Sequence, residues 1–192
     1  MNEKLQKLKE KCNNCNICEL SKTRKNVVFA DGNEMAPIML IGEAPGATED
    51  FEGLPFVGRS GKLLREMFKN EGLTTDKDLY IVNTVKCRPP LNRLPSRKEK
   101  EMCRGFLEEQ IRLINPKIIV CVGATATKEI LGNKEPISFI RGQWFDGFDA
   151  KIIPVFHPSY VLRNPRDIQG SPKDLMRRDI KEIKRMKDIL IN

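Results

Sequence analysis

The sequence predicts an α/β protein: a central four-stranded parallel sheet between two layers of helices, a three-layer α/β/α sandwich. Two observations predict it. Four short apolar, β-rich runs stand out, and helical patterns lie between them. The runs are Pro37 to Ile41 (PIMLI), Leu79 to Val85 (LYIVNTV), Lys117 to Val122 (KIIVCV) and Lys151 to Phe156 (KIIPVF). Such continuous apolar runs mark strands buried on both faces. The helical patterns are Gly61 to Asn70, stopped by Gly72; Ser96 to Ile114, stopped by Asn115 and Pro116; and Thr125 to Leu131, stopped by Gly132. Ser171 to Asn192 reads as a closing amphipathic helix, with Leu175, Ile180, Ile183 and Met186 towards one side. In such a fold, functional groups gather on the loops beyond the carboxyl ends of the strands.

The 192 residues suit one domain spanning 1–192 with a single core. With 40% apolar and 31% charged residues, neither a disordered chain nor a fibre fits. No run approaches the roughly 18 to 20 apolar residues of a membrane helix. The start, MNEKLQKLKEKC, carries alternating charge where a signal peptide would be apolar. A cytoplasmic protein with no membrane contact is expected. The net charge of +8 favours a polyanionic partner, and the alternative is a merely soluble lysine-rich chain.

Six cysteines, Cys12, Cys15, Cys18, Cys87, Cys103 and Cys121, exceed what packing needs in a compartment where disulfides are rarely stable. Cys15 and Cys18 form a C-x-x-C, and with Cys87 and Cys103 they give C-x2-C-x68-C-x15-C. Such a split set of four would clip the N-terminal segment to the domain through a metal site. Zinc and a 4Fe-4S cluster both accept four thiolates. Cys12 can replace Cys15 or Cys18, because Cys12-Asn13-Asn14-Cys15 is also a C-x-x-C. Cys121, inside an apolar run, reads as an inert core thiol.

The loops after the runs carry the remaining chemistry. Gly42-Glu43-Ala44-Pro45-Gly46 lacks both G-x-G-x-x-G and the lysine of a P-loop. Glu43, Glu49, Asp50 and Glu52 would repel phosphates there, and such acids suit stabilising a cationic transition state or polarising water; a solvated acidic loop is the alternative. Phe56, fenced by glycine and proline between Gly53 and Gly61, is a base-stacking platform if exposed and a core residue if buried. His157, the only histidine, follows the fourth run in His157-Pro158-Ser159-Tyr160, a placement that favours chemistry over packing. Asn83, polar among Ile81, Val82 and Val85, needs a hydrogen-bonding partner and can read the edge of a base.

Together these motifs, in this order and spacing, resemble the family 4 uracil-DNA glycosylases of bacteria and archaea over nearly the whole chain. The resemblance implies the superfamily's four-stranded parallel sheet and a structural 4Fe-4S cluster rather than zinc, held by Cys15, Cys18, Cys87 and Cys103. It implies that uracil is flipped out of DNA and its N-glycosidic bond hydrolysed, starting base excision repair. Phe56 would stack on the base, Asn83 would bond its O4 and N3 edge, and Gly42, Glu43 and Ala44 would help enclose it. His157 would stabilise the charge developing at O2. Glu43, or second Glu49, would stabilise the oxocarbenium-like sugar and position water. Lys86, Arg88, Arg93, Arg97, Lys98, Lys100 and Arg104 read as the phosphate-binding surface, while Arg163 and Tyr160 would fill the gap left in the duplex. A monomer is expected. A superfamily branch that links covalently to uracil DNA carries an additional histidine-containing loop, and no second histidine exists here. The reading from a different class is a non-catalytic iron-sulfur or zinc protein that binds nucleic acid.

Overall fold

A computed structural model describes residues 3–132 and 134–191. The predicted class holds. Strands β2 (Ile38–Gly42), β3 (Leu79–Asn83), β4 (Ile118–Val122) and β6 (Ala150–Val155) pair in parallel in the order β3-β2-β4-β6. Two short antiparallel edge strands, β1 (Asp31–Gly32) beside β3 and β5 (Phe145–Gly147) beside β6, extend the expected four strands to six. They cover the unpaired backbone that parallel edges would otherwise expose.

The apolar strands lack alternation because both sheet faces are covered. Met39, Ile41 and Val82 face one core with α1 (Glu3–Asn13), α4 (Arg97–Ile114) and α5 (Ala124–Leu131). Ile38, Leu40 and Ile81 face the other, with α3 (Arg59–Asn70), α7 (Pro158–Arg163) and α8 (Pro172–Ile191). Helix α4 starts where Ser96 accepts the Glu99 N–H and the Glu99 carboxylate accepts the Ser96 N–H, and it ends at Asn115 in the left-handed conformation. Helix α8 buries Met176, Ile180 and Ile183, with Leu175 and Met186 partly buried on the same core; Asn192 lies outside the described residues. Strand β3 ends at Asn83, two residues before the expected end. Thr84 and Val85 instead donate to the carbonyls of Gly42 and Glu43 beyond the end of β2.

The connection leaving β2 runs through α2 (Ala47–Glu52) and α3 on one face, whereas β4 leads into α5 on the other. The two loops part at the carboxyl ends of neighbouring strands and open a crevice there, the place where ligands bind in open α/β sheets.

Candidate active site

A cavity of about 440 Å³ occupies that crevice. Its walls come from all four parallel strands: Glu43 to Gly46 after β2, the loop around Arg93 after β3, Gly123 to Thr125 after β4, and His157 with Arg163 after β6.

Behind this wall Gly42 pairs in register with Asn83. A Cβ on Gly42 would lie 2.6 Å from Phe56 Cε2 and still closer to Phe56 Cζ and Asn83 Oδ1. Only the bare glycine lets the ring and the amide meet. Asn83 is 2% exposed, and among the described residues its carboxamide has no protein partner. The Phe56 ring is 6.3 Å from the imidazole of His157, tilted by 38°. Phe56 is 6% exposed and belongs to the core cluster with Leu64 and Phe68, the buried outcome of the sequence reading and a correction of the exposed platform; neither it nor Asn83 lines the cavity, and it sits at φ 53°, a left-handed conformation that side-chain-bearing residues rarely adopt. Arg65 of α3 holds it there, donating to the carbonyls of Pro55 (2.7 Å) and Phe56 (2.9 Å) while pairing with Asp31 (2.7 Å).

His157 caps α7. The Ser159 N–H donates to its Nδ1 at 3.2 Å, and Ser159 Oγ lies 2.7 Å from the same nitrogen. Because Nδ1 accepts, the neutral ring carries its proton on Nε2. Burial, then the Arg163 charge, push the pKa down to about 4 against the opposing pull of Glu49. At neutral pH His157 is therefore an uncharged donor. Gly123, at φ 92°, lets the imidazole pack closely: a Cβ there would lie 2.9 Å from His157 Cβ.

The acids divide by role. Among the described residues the Glu43 carboxylate has no bonded partner, and it lines the cavity. Glu49 does not line it. Its carboxylate accepts the N–H groups of Gly46 (3.1 Å), Val57 (3.0 Å) and Gly58 (2.7 Å), which corrects the expectation of a water-positioning Glu49: those lone pairs brace the Phe56 loop. Asp50, also buried, accepts from Lys25 N (2.9 Å) and Asn26 N (3.3 Å). Glu52 is exposed.

The expected basic surface is thinner than its sequence suggests. Arg93 is held bidentately by Glu99 (2.8 and 2.7 Å), Arg97 pairs with Glu101, Lys100 with Glu129 and Arg104 with Glu108. Arg88 donates to Asn92 (2.8 Å), and Arg163 stands exposed at the cavity. Tyr160 is half-exposed against the Phe156 ring. Lys86 is a correction: it is 1% exposed, so its ammonium cannot reach a phosphate. Leu91, in contrast, is 96% exposed at the tip of the loop that lines the cavity.

Cys12 on α1, Cys15 and Cys18 after it, Cys87 after β3 and Cys103 on α4 form one thiol cluster. Cys103 lies within electrostatic reach of Cys15 and Cys18, Cys87 of Cys103 and Cys18, and Cys12 of Cys15, Cys87 and Cys103. Arg24 donates to Cys87 Sγ (3.2 Å) and to the Cys15 carbonyl (2.7 Å). Burial pushes the Cys12 thiol up to about 12, and the Cys87 thiol up to about 11 despite Arg24. Cys121 is buried apart from them in β4, its thiol also pushed up by burial. Among the described residues no three His, Cys, Asp or Glu side chains surround a point where one metal ion would sit. A single zinc would need its four sulfurs about 2.3 Å from one centre.

Arg65, Arg24 and Ser159 escaped sequence reasoning. A lone arginine or serine carries no local signature when its partners lie on other elements or in its own turn.

A family model described as the uracil DNA glycosylase superfamily matches residues 29–182. The type-4 uracil-DNA glycosylase of Thermotoga maritima is 45% identical over 166 residues, covering 84% of this chain and 85% of that one. Its counterpart in Archaeoglobus fulgidus is 42% identical over 160 residues (79% and 80%), and that in Pyrobaculum aerophilum 41% over 179 residues (89% and 91%).

Proposed function

Because the chain belongs to the uracil-DNA glycosylase superfamily, among its type-4 members, we propose how its own residues carry out uracil excision. The protein is a hydrolase of the N-glycosidic bond between uracil and deoxyribose in DNA. The base leaves the helix and enters the cavity at the strand ends. Phe56 stacks on it. Asn83 bonds the O4 and N3 edge, and because cytosine presents an amino donor at position 4, the fixed amide discriminates between the two bases. The backbone of Gly42, Glu43 and Ala44 encloses the ring.

As the bond breaks, electrons flow to uracil and positive charge grows on the sugar. His157, neutral and with Nε2 protonated, donates to O2 and stabilises the leaving anion without surrendering the proton. Glu43, the unpartnered carboxylate on the cavity wall, stabilises the cationic sugar and holds the water that completes hydrolysis. Glu49 acts indirectly, by bracing the Phe56 loop. Arg88 and Arg163 contact phosphates, Arg93 stays paired with Glu99 and orders its loop, and Leu91 enters the duplex as an apolar wedge. The residues assigned to the reaction all come from one chain, which suits a monomer. Among the described residues no helix is long and apolar enough to cross a membrane, and a DNA substrate suits the cytoplasm.

Cys15, Cys18, Cys87 and Cys103 would hold one 4Fe-4S cluster. The mutual proximity of the four thiols supports this reading, and Cys12 is a fifth thiol beside them. When bound, the cluster supplies a structural cross-link that joins the N-terminal segment to α4 and the loop after β3.

The observation that carries this reading is the meeting of Phe56 and Asn83 over Gly42, with His157, packed on Gly123, 6.3 Å from the Phe56 ring. The test is release of free uracil from a uracil-containing oligonucleotide. Wild-type protein releases it, and Asn83→Ala and His157→Ala lose most of that activity while remaining folded. A wild type that binds the oligonucleotide and releases nothing refutes the mechanism and leaves a binding protein.

A further inference from the structure

We propose that Lys86 is a positioning residue that couples the cysteine cluster to the uracil-reading end of β3. The inference rests on the 4Fe-4S reading above. Lys86 is 1% exposed, and its Nζ donates to the Asn83 carbonyl at 2.7 Å. The Cys103 thiol lies beside its backbone, and its carbonyl accepts from Val28 N at 2.8 Å. The ionisable groups within electrostatic reach of the ammonium are the thiols of Cys103, Cys12 and Cys87, and among the described residues no carboxylate pairs with it.

An ammonium shut away from water is strongly unfavourable unless negative charge lies beside it. Protonated thiols provide none. Four iron-bound thiolates do, because their charge exceeds that of the iron-sulfur core and leaves the assembly a net anion. Lys86 is then the internal counter-ion of the loaded site, and the same ammonium reaches back to the peptide of Asn83. Asn83 is the last residue of β3, and the peptide after it is held on both sides: the Thr84 N–H donates to the Gly42 carbonyl at 2.9 Å and the Asn83 carbonyl accepts from Lys86 Nζ. The Nζ contact therefore supplies the second of the two bonds on the peptide next to the uracil-reading amide. A change in charge at the cluster and occupancy of the uracil pocket bias the same ammonium, and such a coupling is reciprocal.

The test starts with iron and sulfide analysis of wild-type protein, followed by redox titration of its cluster with and without saturating free uracil. Uracil is expected to shift the wild-type reduction potential. Lys86→Met is expected to shift the resting potential to more negative values, because a buried positive charge no longer favours the reduced form, and to lose the uracil-dependent shift. Its KM for a uracil oligonucleotide should rise about tenfold, more than kcat falls, as expected for one lost charge-assisted hydrogen bond. Lys86→Arg should keep the wild-type resting potential. An iron-loaded wild type without a uracil-dependent shift overturns this proposal and leaves the cluster reading intact, as does a Lys86→Met protein with wild-type potential. A colourless zinc-bearing wild type overturns the cluster reading, and this proposal with it. If Lys86→Met yields no soluble protein, the wild-type uracil shift decides.

Discussion

Replacing Gly42 with alanine probes the uracil pocket with one carbon atom. The added Cβ would lie 2.6 Å from Phe56 Cε2, where ordinary contact begins at 3.4 Å, and it would be closer still to Asn83 Oδ1. The ring must retreat by more than about 0.8 Å, because Cζ is nearer than Cε2, and the amide by a similar distance, since the β2 and β3 backbones at this register are locked in the sheet. Crowding of this kind costs roughly 1 to 3 kcal/mol of stability, or about 2 to 4 °C in Tm per kcal/mol for a chain of this size. The effect on catalysis should be larger. A misplacement near 1 Å of groups that orient the substrate lowers rates by about 100-fold. Steady-state uracil release from a single-stranded oligonucleotide should therefore show kcat/KM down by about two orders of magnitude, with melting only modestly lowered. Gly105→Ala is the control: it lies in α4 with nothing within 4 Å of its added Cβ, and it should gain roughly 0.5 to 1 kcal/mol of stability with unchanged activity. If Gly42→Ala keeps wild-type kcat/KM, Phe56 and Asn83 do not hold the base in the manner proposed.

The two glutamates should separate cleanly. Glu43→Gln is expected to lower kcat by an amount corresponding to about 2 to 4 kcal/mol of barrier with Tm unchanged, whereas Glu49→Gln, which disturbs three backbone N–H contacts, should lower Tm first; the reverse pattern in calorimetry and kinetics would exchange their roles. The His157 pKa, near 4, predicts that the acid limb of kcat/KM lies near pH 4 and not near 6.5. Because the unfolded chain binds this proton first, stability contributed by His157 should fall as pH drops from about 6.5 towards 4, and His157→Asn should flatten that dependence in denaturation at graded pH. Leu91→Ala should reduce activity on duplex substrate several-fold and spare single-stranded substrate, since only a duplex has a base step to wedge open; equal losses on both would remove Leu91 from that role.

The four parallel strands were legible because burial on both faces writes itself as unbroken apolar runs, and α3, α4, α5 and α8 because period and stop residues mark them; the short helices Ala47–Glu52 and Ile137–Ile140 between strands were not. The edge strands at Asp31–Gly32 and Phe145–Gly147 were not, since two or three residues carry no period. Helix α1 left a trace in Leu5, Leu8 and Cys12, three apolar positions at helical spacing inside a charged segment. At the site, residue type and loop position were enough to single out Phe56, Asn83, His157 and the cysteines. The division of labour among like residues was not readable. Glu43 and Glu49 are chemically identical in the sequence, and only the fold turns three N–H groups onto one and leaves the other facing the cavity. Lys86 and Arg88 flank Cys87 with the same sign of charge, yet one is sealed against sulfur and the other reaches the surface. Which residues exist, and where the chain changes direction, are local properties governed by hydrophobic period and turn chemistry. Which groups meet is decided by the registry of separate strands, and so the partner of a polar side chain, and with it the charge state and the task of that side chain, belongs to the tertiary structure alone.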